Sequence, residues 1–382
     1  MKEFIISNME AGQRFDKYLA KCLPNAEKGF IYKMLRKKNI TLNGKKAEGS
    51  EKINAGDRVN IFFSDGTFEK FAGKKDGNSE KSVNTVQASQ AVKIKNRENQ
   101  YAKFFPHGFK SAILYEDDNI LIVNKPSGLL SQKAKPADIS LIEYITEYLT
   151  DTGYLSAVGS NSGNNSSNND SNNSGNTFKP GICNRLDRNT SGIVVAGKTV
   201  KGLQVMSEAF RQRTLEKYYI CMVKGEFRQS CRVSGFLYKD GASNKVTVYD
   251  SGDRNIPDGA VPIETEYFPR FGNRSVTLLK VHLITGKTHQ IRSHLEYLKY
   301  PIVGDLKYGD ENINRHFKRK YGISNQMLHA YKLELPPLSE LGLNEELTVK
   351  TEIPEEFLAV LKGENLWEHG TQEGLEALHS KI

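Results

Sequence analysis

The stretch NRLDRNTSGIVVA, residues 184–196, joins a dense polar loop to an apolar strand. Asp187 lies there among arginines and hydrogen-bonding side chains, and residues 193–196 that follow are all apolar. Flanking arginines favour the ionised carboxylate, the form in which an aspartate acts as a nucleophile or a base. An aspartate in such a loop can also cap a turn through the neighbouring backbone. This loop alone leaves both interpretations open.

A second polar stretch, TGKTHQIRSHLEYLKYPIVGDLKYG, spans residues 285–309. Its Gly286-Lys287-Thr288 resembles the end of a phosphate-binding loop, but that motif requires glycine at the position of Val281, so an NTPase is excluded. His289 and His294 are five residues apart, which is poor spacing for two metal ligands on one helix face, and no acidic third ligand accompanies them. We therefore expect no metal site in this stretch.

The charge of the chain is distributed unevenly. Net charge is +9 over 382 residues, yet residues 340–382 contain ten acids and three lysines, a net of −7, which leaves +16 for the first 339 residues. Basic proteins of this kind bind polyanions, because each neutralised phosphate releases counterions. Net charge alone does not distinguish a protein that binds a polyanion from a basic protein that is merely soluble.

Composition narrows the class of protein further. With 38 % hydrophobic residues, the chain can bury a core of two ordinary domains. No stretch reaches the roughly 18 apolar residues of a membrane span, and the N-terminus has no signal-peptide pattern. The four cysteines form no CxxC pair, so we expect a reducing, cytoplasmic environment rather than a disulfide scaffold or a zinc ribbon.

Residues 1–63 read as a small separate module. Helical periodicity covers residues 14–22 and 29–38, and a short strand at 40–42 meets the hairpin turn Asn43-Gly44. The segment RFDKYLAKCLPNAEKGFIYKMLRKKNITLNGKKAEGSEKINAGDRVNIFF resembles the S4 RNA-binding domain. The resemblance implies that two helices and a basic turn grip structured RNA. The candidate RNA-binding residues share one helix face by their spacing: Lys33, Arg36 and Lys37.

The rest of the chain contains two segments that cannot form a core. Residues 64–103 are polar and aperiodic and predict a flexible linker. Residues 160–176 include 14 Asn or Ser among 17 positions, which predicts a disordered insert. Between and after these segments, apolar strands and helices alternate up to residue 340, and residues 341–382 read as an acidic C-terminal extension.

Four segments occur in the order and spacing typical of one enzyme family: NRLDRNTSGIVVAGKT, EKYYICMVKGE, TGKTHQIRSHLEYLKYPIVGDLKYG and LHAYKLEL. Together with ILYEDDNILIVNKPSGLLSQ, they resemble the RluA-type pseudouridine synthases over about residues 110–335. The resemblance implies an α+β fold with a mixed, largely antiparallel sheet split by a central cleft, here in a catalytic domain at 104–340. It also implies isomerisation of specific uridines in RNA to pseudouridine, large-subunit ribosomal RNA being the expected substrate, without a cofactor or metal.

The same resemblance assigns roles residue by residue. The family's catalytic aspartate corresponds to Asp187, its active-site tyrosine to Tyr219 and its buried arginine to Arg292. Arg185 and Arg188 are expected to contact RNA around the target uridine, which must leave its stack. We expect the protein to act as a monomer.

One position departs from the family pattern. The family commonly has histidine before Arg-Leu-Asp, whereas this chain has Asn184, which can hydrogen-bond to RNA but cannot stack as an imidazole does. The chain is therefore expected to be a variant active enzyme that uses Asn184 as an RNA contact. The alternatives are a catalytically idle RNA-binding factor for ribosome assembly and a synthase directed at transfer RNA.

Overall fold

A computed structural model describes residues 1–72, 103–135, 137–157, 178–241 and 245–367. The predicted insert at 160–176 lies outside these ranges, as does most of the predicted linker.

The N-terminal module packs two helices on one face of a small antiparallel sheet. Apolar residues of both helices and of the sheet, among them Phe15, Leu19 and Ile40, form its core. Asn43 and Gly44 both have positive φ, the conformation that a tight hairpin turn requires, and the predicted hairpin is present. Its elements are β1 (Lys2–Ile5), α1 (Phe15–Cys22), α2 (Lys28–Arg36), β2 (Ile40–Leu42), β3 (Lys45–Lys46) and β4 (Arg58–Ile61), in the sheet order β1-β4-β2-β3.

The predicted flexible linker does not begin at residue 64. Residues Asp65–Ala72 form helix α3, and Phe68 packs into the core of the module, where it is 9 % exposed. Phe68 and Phe71 are three positions apart, so both lie on one face of this short helix and pack against the core. Most of the other positions are polar, and the sequence therefore did not indicate an apolar helix face. The module therefore ends at about residue 72.

The second body of the structure is built on one mixed sheet of 11 strands, with helices on both sides of it. Its neighbouring strands run β11-β10-β12-β13-β9-β14-β8-β6-β5, with β15 paired to β14 and β7 to β8. All of these pairs are antiparallel except β14 with β8. The predicted α+β class and largely antiparallel sheet are confirmed. The elements are β5 (Ile113–Glu116), β6 (Ile120–Lys125), α4 (Leu141–Asp151), α5 (Tyr154–Ala157), β7 (Gly181–Ile182), β8 (Ser191–Gly197), α6 (Val200–Gln212), β9 (Glu216–Lys224), β10 (Cys231–Lys239), β11 (Val246–Tyr249), β12 (Val261–Gly272), β13 (Val276–Leu283), α7 (Gln290–Tyr297), α8 (Glu311–Tyr321), β14 (Leu328–Leu335), β15 (Leu347–Lys350) and α9 (Glu355–Gly363).

Strand β8 lies near the middle of this sheet, and all seven of its residues are buried. It begins where β14 approaches it in parallel, at Gly192. Gly192 has φ +111, and a Cβ there would lie 2.2 Å from the carbonyl oxygen of Ala330. Only glycine fits this crossing, which fixes the loop before β8 against the sheet.

The predicted acidic C-terminal extension is, over its described part, a component of the second body, named the catalytic body after the catalytic domain predicted there. Strand β15 extends the sheet beside β14, and α9 buries Phe357, Val360 and Leu361 against Ile220 and Met222 of β9. Glu355 and Glu356 are exposed positions of this amphipathic helix, so the net charge of the segment concealed its apolar face. The catalytic body therefore continues past residue 340 to at least residue 367.

The N-terminal module touches the catalytic body at the start of α6. The Val200 N–H donates to the Met9 carbonyl oxygen at 2.9 Å, and both side chains pack with Phe178.

Within the described ranges, no helix is long and apolar enough to cross a membrane.

Candidate active site

The loop that carries Asp187 is held by the segment after β6. Ser131 Oγ donates to the Leu186 carbonyl at 2.9 Å, and Ser127 Oγ donates to the Asn189 carbonyl at 2.9 Å. Lys125 is fully buried, and its Nζ donates to the carbonyls of Pro126, Leu129 and Arg188 at 2.8–3.1 Å. The NKPSGLLS segment thus fixes the backbone on both sides of Asp187.

Burial lowers the pKa of Lys125 to about 7, against the opposing effect of the negative charge of Asp187. Three carbonyl acceptors match the three N–H groups of an ammonium ion, one more than a neutral amine can supply. The hydrogen bonds therefore favour the charged form that burial disfavours.

Arg292, in the first turn of α7, lies between two carboxylates. Its Nη1 donates to Asp187 Oδ2 at 2.7 Å, while Nε and Nη2 donate to Asp305 Oδ2 and Oδ1 at 2.6 and 2.9 Å. Asp305 is fully buried and also accepts the backbone N–H groups of Lys307 and Tyr308. The bidentate pair with Asp305 fixes the guanidinium plane and so aims its third donor at Asp187.

The charges of this ion pair are mutually stabilised. Burial disfavours the charge on Arg292, but hydrogen bonding and attraction to Asp305, and then to Asp187, outweigh it and raise the pKa of Arg292. Burial also disfavours the charge on Asp305 and would raise its pKa. The hydrogen bonds and attraction to Arg292 outweigh burial, so the pKa of Asp305 is lowered. Among the described residues, hydrogen bonds to the Asp187 carboxylate reach only Oδ2, so Oδ1 accepts none, and the side chain is 26 % exposed.

Tyr219 lies on β9 and lines the same cleft as Asp187. Its side chain is buried, and burial together with the negative charge of Asp187 raises the pKa of Tyr219. The phenol is therefore protonated. The structure thus brings together the three residues predicted as catalytic, from the loop before β8, from β9 and from α7.

The cleft has a volume of about 990 Å³ and is strongly basic. Its lining includes nine arginines and lysines but one carboxylate, Asp187, among the described residues. Arg185 and Arg188 are exposed there, as expected for RNA contacts. Sequence reasoning missed six further cations of this lining, which come from distant elements: Arg211, Arg213, Lys217, Lys239, Lys287 and Lys307.

The other predicted RNA-binding residues divide into two groups. Lys33 and Arg36 of α2, and Lys37 directly after it, are all exposed on the N-terminal module. Asn184 lines the cleft, but its amide is engaged with β8: Val195 N–H donates to its Oδ1 at 2.8 Å, and its Nδ2 donates to the Ile193 carbonyl at 3.2 Å. Its amide therefore joins the loop to the strand.

The comparisons with known proteins agree with this geometry. The profile of the family described as RNA pseudouridylate synthase matches residues 119–297, the part of the chain that contains Asp187, Tyr219 and Arg292. Over these residues, just under half of its length, the protein matches that family. It is a pseudouridine synthase, an enzyme that isomerises uridine in RNA.

Curated relatives match most of the chain. Ribosomal large subunit pseudouridine synthase C of Vibrio vulnificus is 29 % identical over 326 residues, which are 84 % of each chain. The protein of the same name from Escherichia coli K12 is 28 % identical, over 87 % of this chain and 88 % of its own. In structure, human RNA pseudouridylate synthase domain containing 4 aligns with a TM-score of 0.52 at 23 % identity, over 66 % of this chain and 93 % of its own. That similarity shows the shared fold.

The position of Asn184 leads to a first prediction. Asn184→His should leave synthase activity within about threefold of wild type, because no catalytic group changes, but should lower the free energy of unfolding by about 1–2 kcal/mol. An imidazole ring cannot replace both amide hydrogen bonds to β8 in the same geometry, and an unmade buried bond costs about that much. Urea unfolding and turnover of the same preparation would measure both. An Asn184→Ala variant that matches wild type in stability would show that the amide bonds to β8 contribute nothing.

Proposed function

We propose that this synthase modifies specific uridines of large-subunit (23S) ribosomal RNA, in the cytoplasm and as a monomer. The support is similarity over more than four fifths of this chain to the Vibrio vulnificus and Escherichia coli relatives, both named ribosomal large subunit pseudouridine synthase C. A basic cleft whose described lining contains one carboxylate suits a polyanionic substrate with one reacting nucleotide.

We assign the central chemistry to Asp187. Its open Oδ1 attacks C1′ of the uridine, or stabilises the charge that develops there, while the N1–C1′ bond breaks. Arg292 keeps the carboxylate ionised and oriented through Oδ2. The detached uracil then rotates, and its C5 forms the new bond to C1′; where Oδ1 has bonded to C1′, that bond breaks in the same step and the carboxylate is regenerated.

We assign proton transfer to Tyr219. The new C5–C1′ bond requires loss of the hydrogen on C5, and N1 must gain a proton, so the isomerisation needs a group that moves protons beside the ring. The buried phenol of Tyr219 lines the cleft with Asp187 and is of that chemical type. Arg185 and Arg188, exposed at the cleft, are assigned to the RNA around the flipped nucleotide, whose unstacking costs a few kcal/mol.

We assign affinity and target selection to the N-terminal module, as an S4-type RNA-binding domain. Replacing Lys33, Arg36 and Lys37 together by Ala should weaken RNA binding by about tenfold and flatten the slope of log Kd against log salt by up to about three, since each lost phosphate contact removes about one counterion. The single-turnover rate at saturating enzyme should not change. Filter binding over a salt series, with single-turnover assays, would measure these effects.

A matched control removes three exposed cations from α8: Arg315, Lys318 and Arg319. This variant has the same net charge as the first. If both variants lose affinity equally, the loss reflects net charge, and a dedicated surface on the N-terminal module is contradicted. An unchanged salt slope in the first variant would contradict it as well.

The substrate class is tested by mapping pseudouridine across total RNA from a strain that lacks the gene. Loss of specific sites in 23S ribosomal RNA, restored by the wild-type gene but not by its Asp187→Asn variant, is expected. If pseudouridine is lost only from transfer RNA, the substrate is transfer RNA and not ribosomal RNA. If the pseudouridine map is unchanged and ribosomal subunits assemble poorly, the result favours the alternative of a catalytically idle assembly factor, to which the Asn184 substitution pointed.

A further inference from the structure

His289, which directly precedes α7, lies beside the carboxylate of Asp187. Its Nε2 lies 3.8 Å from Asp187 Oδ2, the same oxygen that accepts from Arg292. The side chain is 19 % exposed and lines the cleft. At 3.8 Å the imidazole does not hydrogen-bond to the carboxylate, but a shift of about 1 Å would bring it to that distance.

The backbone of His289 is held in an unusual conformation. The residue immediately precedes α7 and has φ +57 and ψ +15, the left-handed region that residues other than glycine seldom adopt. Such a conformation persists where the surrounding structure imposes it, and it is common at functional sites. Here it turns the imidazole into the cleft rather than along the helix.

Tyr308 determines which imidazole nitrogen carries the proton. Its hydroxyl oxygen accepts the Val246 N–H at 3.2 Å and lies 3.0 Å from His289 Nδ1. The hydroxyl proton has no other acceptor among the described residues, so it is donated to Nδ1, and the proton of the neutral imidazole is on Nε2. Burial lowers the pKa of His289, against the opposing charge of Asp187, in agreement with a neutral ring.

Tyr308 also contacts the other donor to Asp187. The Arg292 guanidinium carbon lies 5.1 Å from the centre of the Tyr308 ring, and the Tyr308 backbone N–H donates to Asp305 Oδ1. One buried tyrosine therefore orients both side chains that surround Asp187 Oδ2. This arrangement leaves the opposite oxygen, Oδ1, as the one that faces substrate.

We propose that His289 is a positioning residue for Asp187: its Nε2–H donates to Oδ2 when a uridine occupies the cleft, and Tyr308 holds it in the required tautomer. The inference rests on the proposed role of Asp187. Two donors on Oδ2 fix the rotation of the carboxylate and hold Oδ1 towards the sugar, which the single bond to Arg292 does less tightly.

The test compares His289→Ala, His289→Gln and Tyr308→Phe in the full chain. His289→Ala should lower the single-turnover rate of tritium release from RNA labelled at C5 of uridine by about 100-fold, the usual effect of removing one donor at a reacting charge, with RNA Kd within about twofold of wild type. His289→Gln should recover at least about tenfold of that loss, because its side-chain N–H reaches the position of Nε2–H. Tyr308→Phe should lower the rate by about tenfold, and His316→Ala, which removes an exposed imidazole of α8, should behave as wild type.

A role confined to folding would lower the melting temperature of His289→Ala without recovery of the rate in His289→Gln, and would overturn the inference. So would a loss in RNA affinity at an unchanged rate, which would make His289 an RNA contact. If His289→Ala is fully active while Asp187→Asn is inactive, this inference fails and the proposed role of Asp187 stands. If Asp187→Asn is active, the proposed role of Asp187 fails.

Discussion

Asp187→Asn is expected to lower turnover by at least about a thousandfold while RNA affinity stays within about twofold of wild type. The amide is nearly isosteric with the carboxylate, so the loop bonds made by Lys125, Ser127 and Ser131 should survive. The negative charge and the nucleophilic oxygen are lost, and neither is supplied by another carboxylate of the cleft lining among the described residues. Release of tritium from C5-labelled uridine in RNA, beside filter binding, would measure both quantities.

The control for this prediction is Asp138→Asn, a partly exposed aspartate whose carboxylate accepts N–H groups of its own loop. It should retain wild-type turnover. If Asp187→Asn keeps more than about a tenth of wild-type turnover, less than about 1.4 kcal/mol of barrier depends on the carboxylate. That result would contradict the assigned mechanism.

Arg292→Ala should abolish turnover and also destabilise the fold by about 3–5 kcal/mol. The arginine is the ion-pair partner of Asp305, whose side chain is fully buried. Removal of one partner of a buried pair leaves an uncompensated charge, which costs about that much. Denaturant unfolding at neutral pH would measure the stability, and tritium release the turnover.

Arg292→Lys separates the two effects. It restores a positive charge beside Asp305 and should recover much of the lost stability, but an ammonium cannot donate in a fixed fork to both carboxylates. Turnover should therefore stay at least about 100-fold below wild type. If Arg292→Lys is as active as wild type, charge alone suffices, and the proposed orientation of Asp187 by the guanidinium plane is wrong.

Local features of the chain were predictable because neighbouring residues determine them. The hairpin at residues 40–46 and the buried strand after Asp187 follow from turn residues and from an apolar run. The three predicted catalytic side chains also meet in one cleft. Their assignment depended on motif resemblance rather than on spacing, because 105 residues separate Asp187 from Arg292.

Contacts that form only in the folded sheet were not predictable. Asp305 and Tyr308 lie in a quoted motif, yet nothing local indicates that one holds Arg292 and the other His289. The same limit explains the two wrong boundaries, at 64 and at 340, where helices α3 and α9 gain their stability from packing against distant strands. Charge and polarity described the exposed faces of those helices and not the buried ones.

The most direct test of the account mixes excess enzyme with 23S ribosomal RNA that carries tritium at C5 of uridine and comes from a strain lacking the gene. If Asp187 carries out the isomerisation, wild-type protein releases tritium in a fixed stoichiometry of one or a few uridines per RNA. The Asp187→Asn variant binds the same RNA and releases none. Tight binding of the RNA by wild-type protein with no release of tritium would contradict the account.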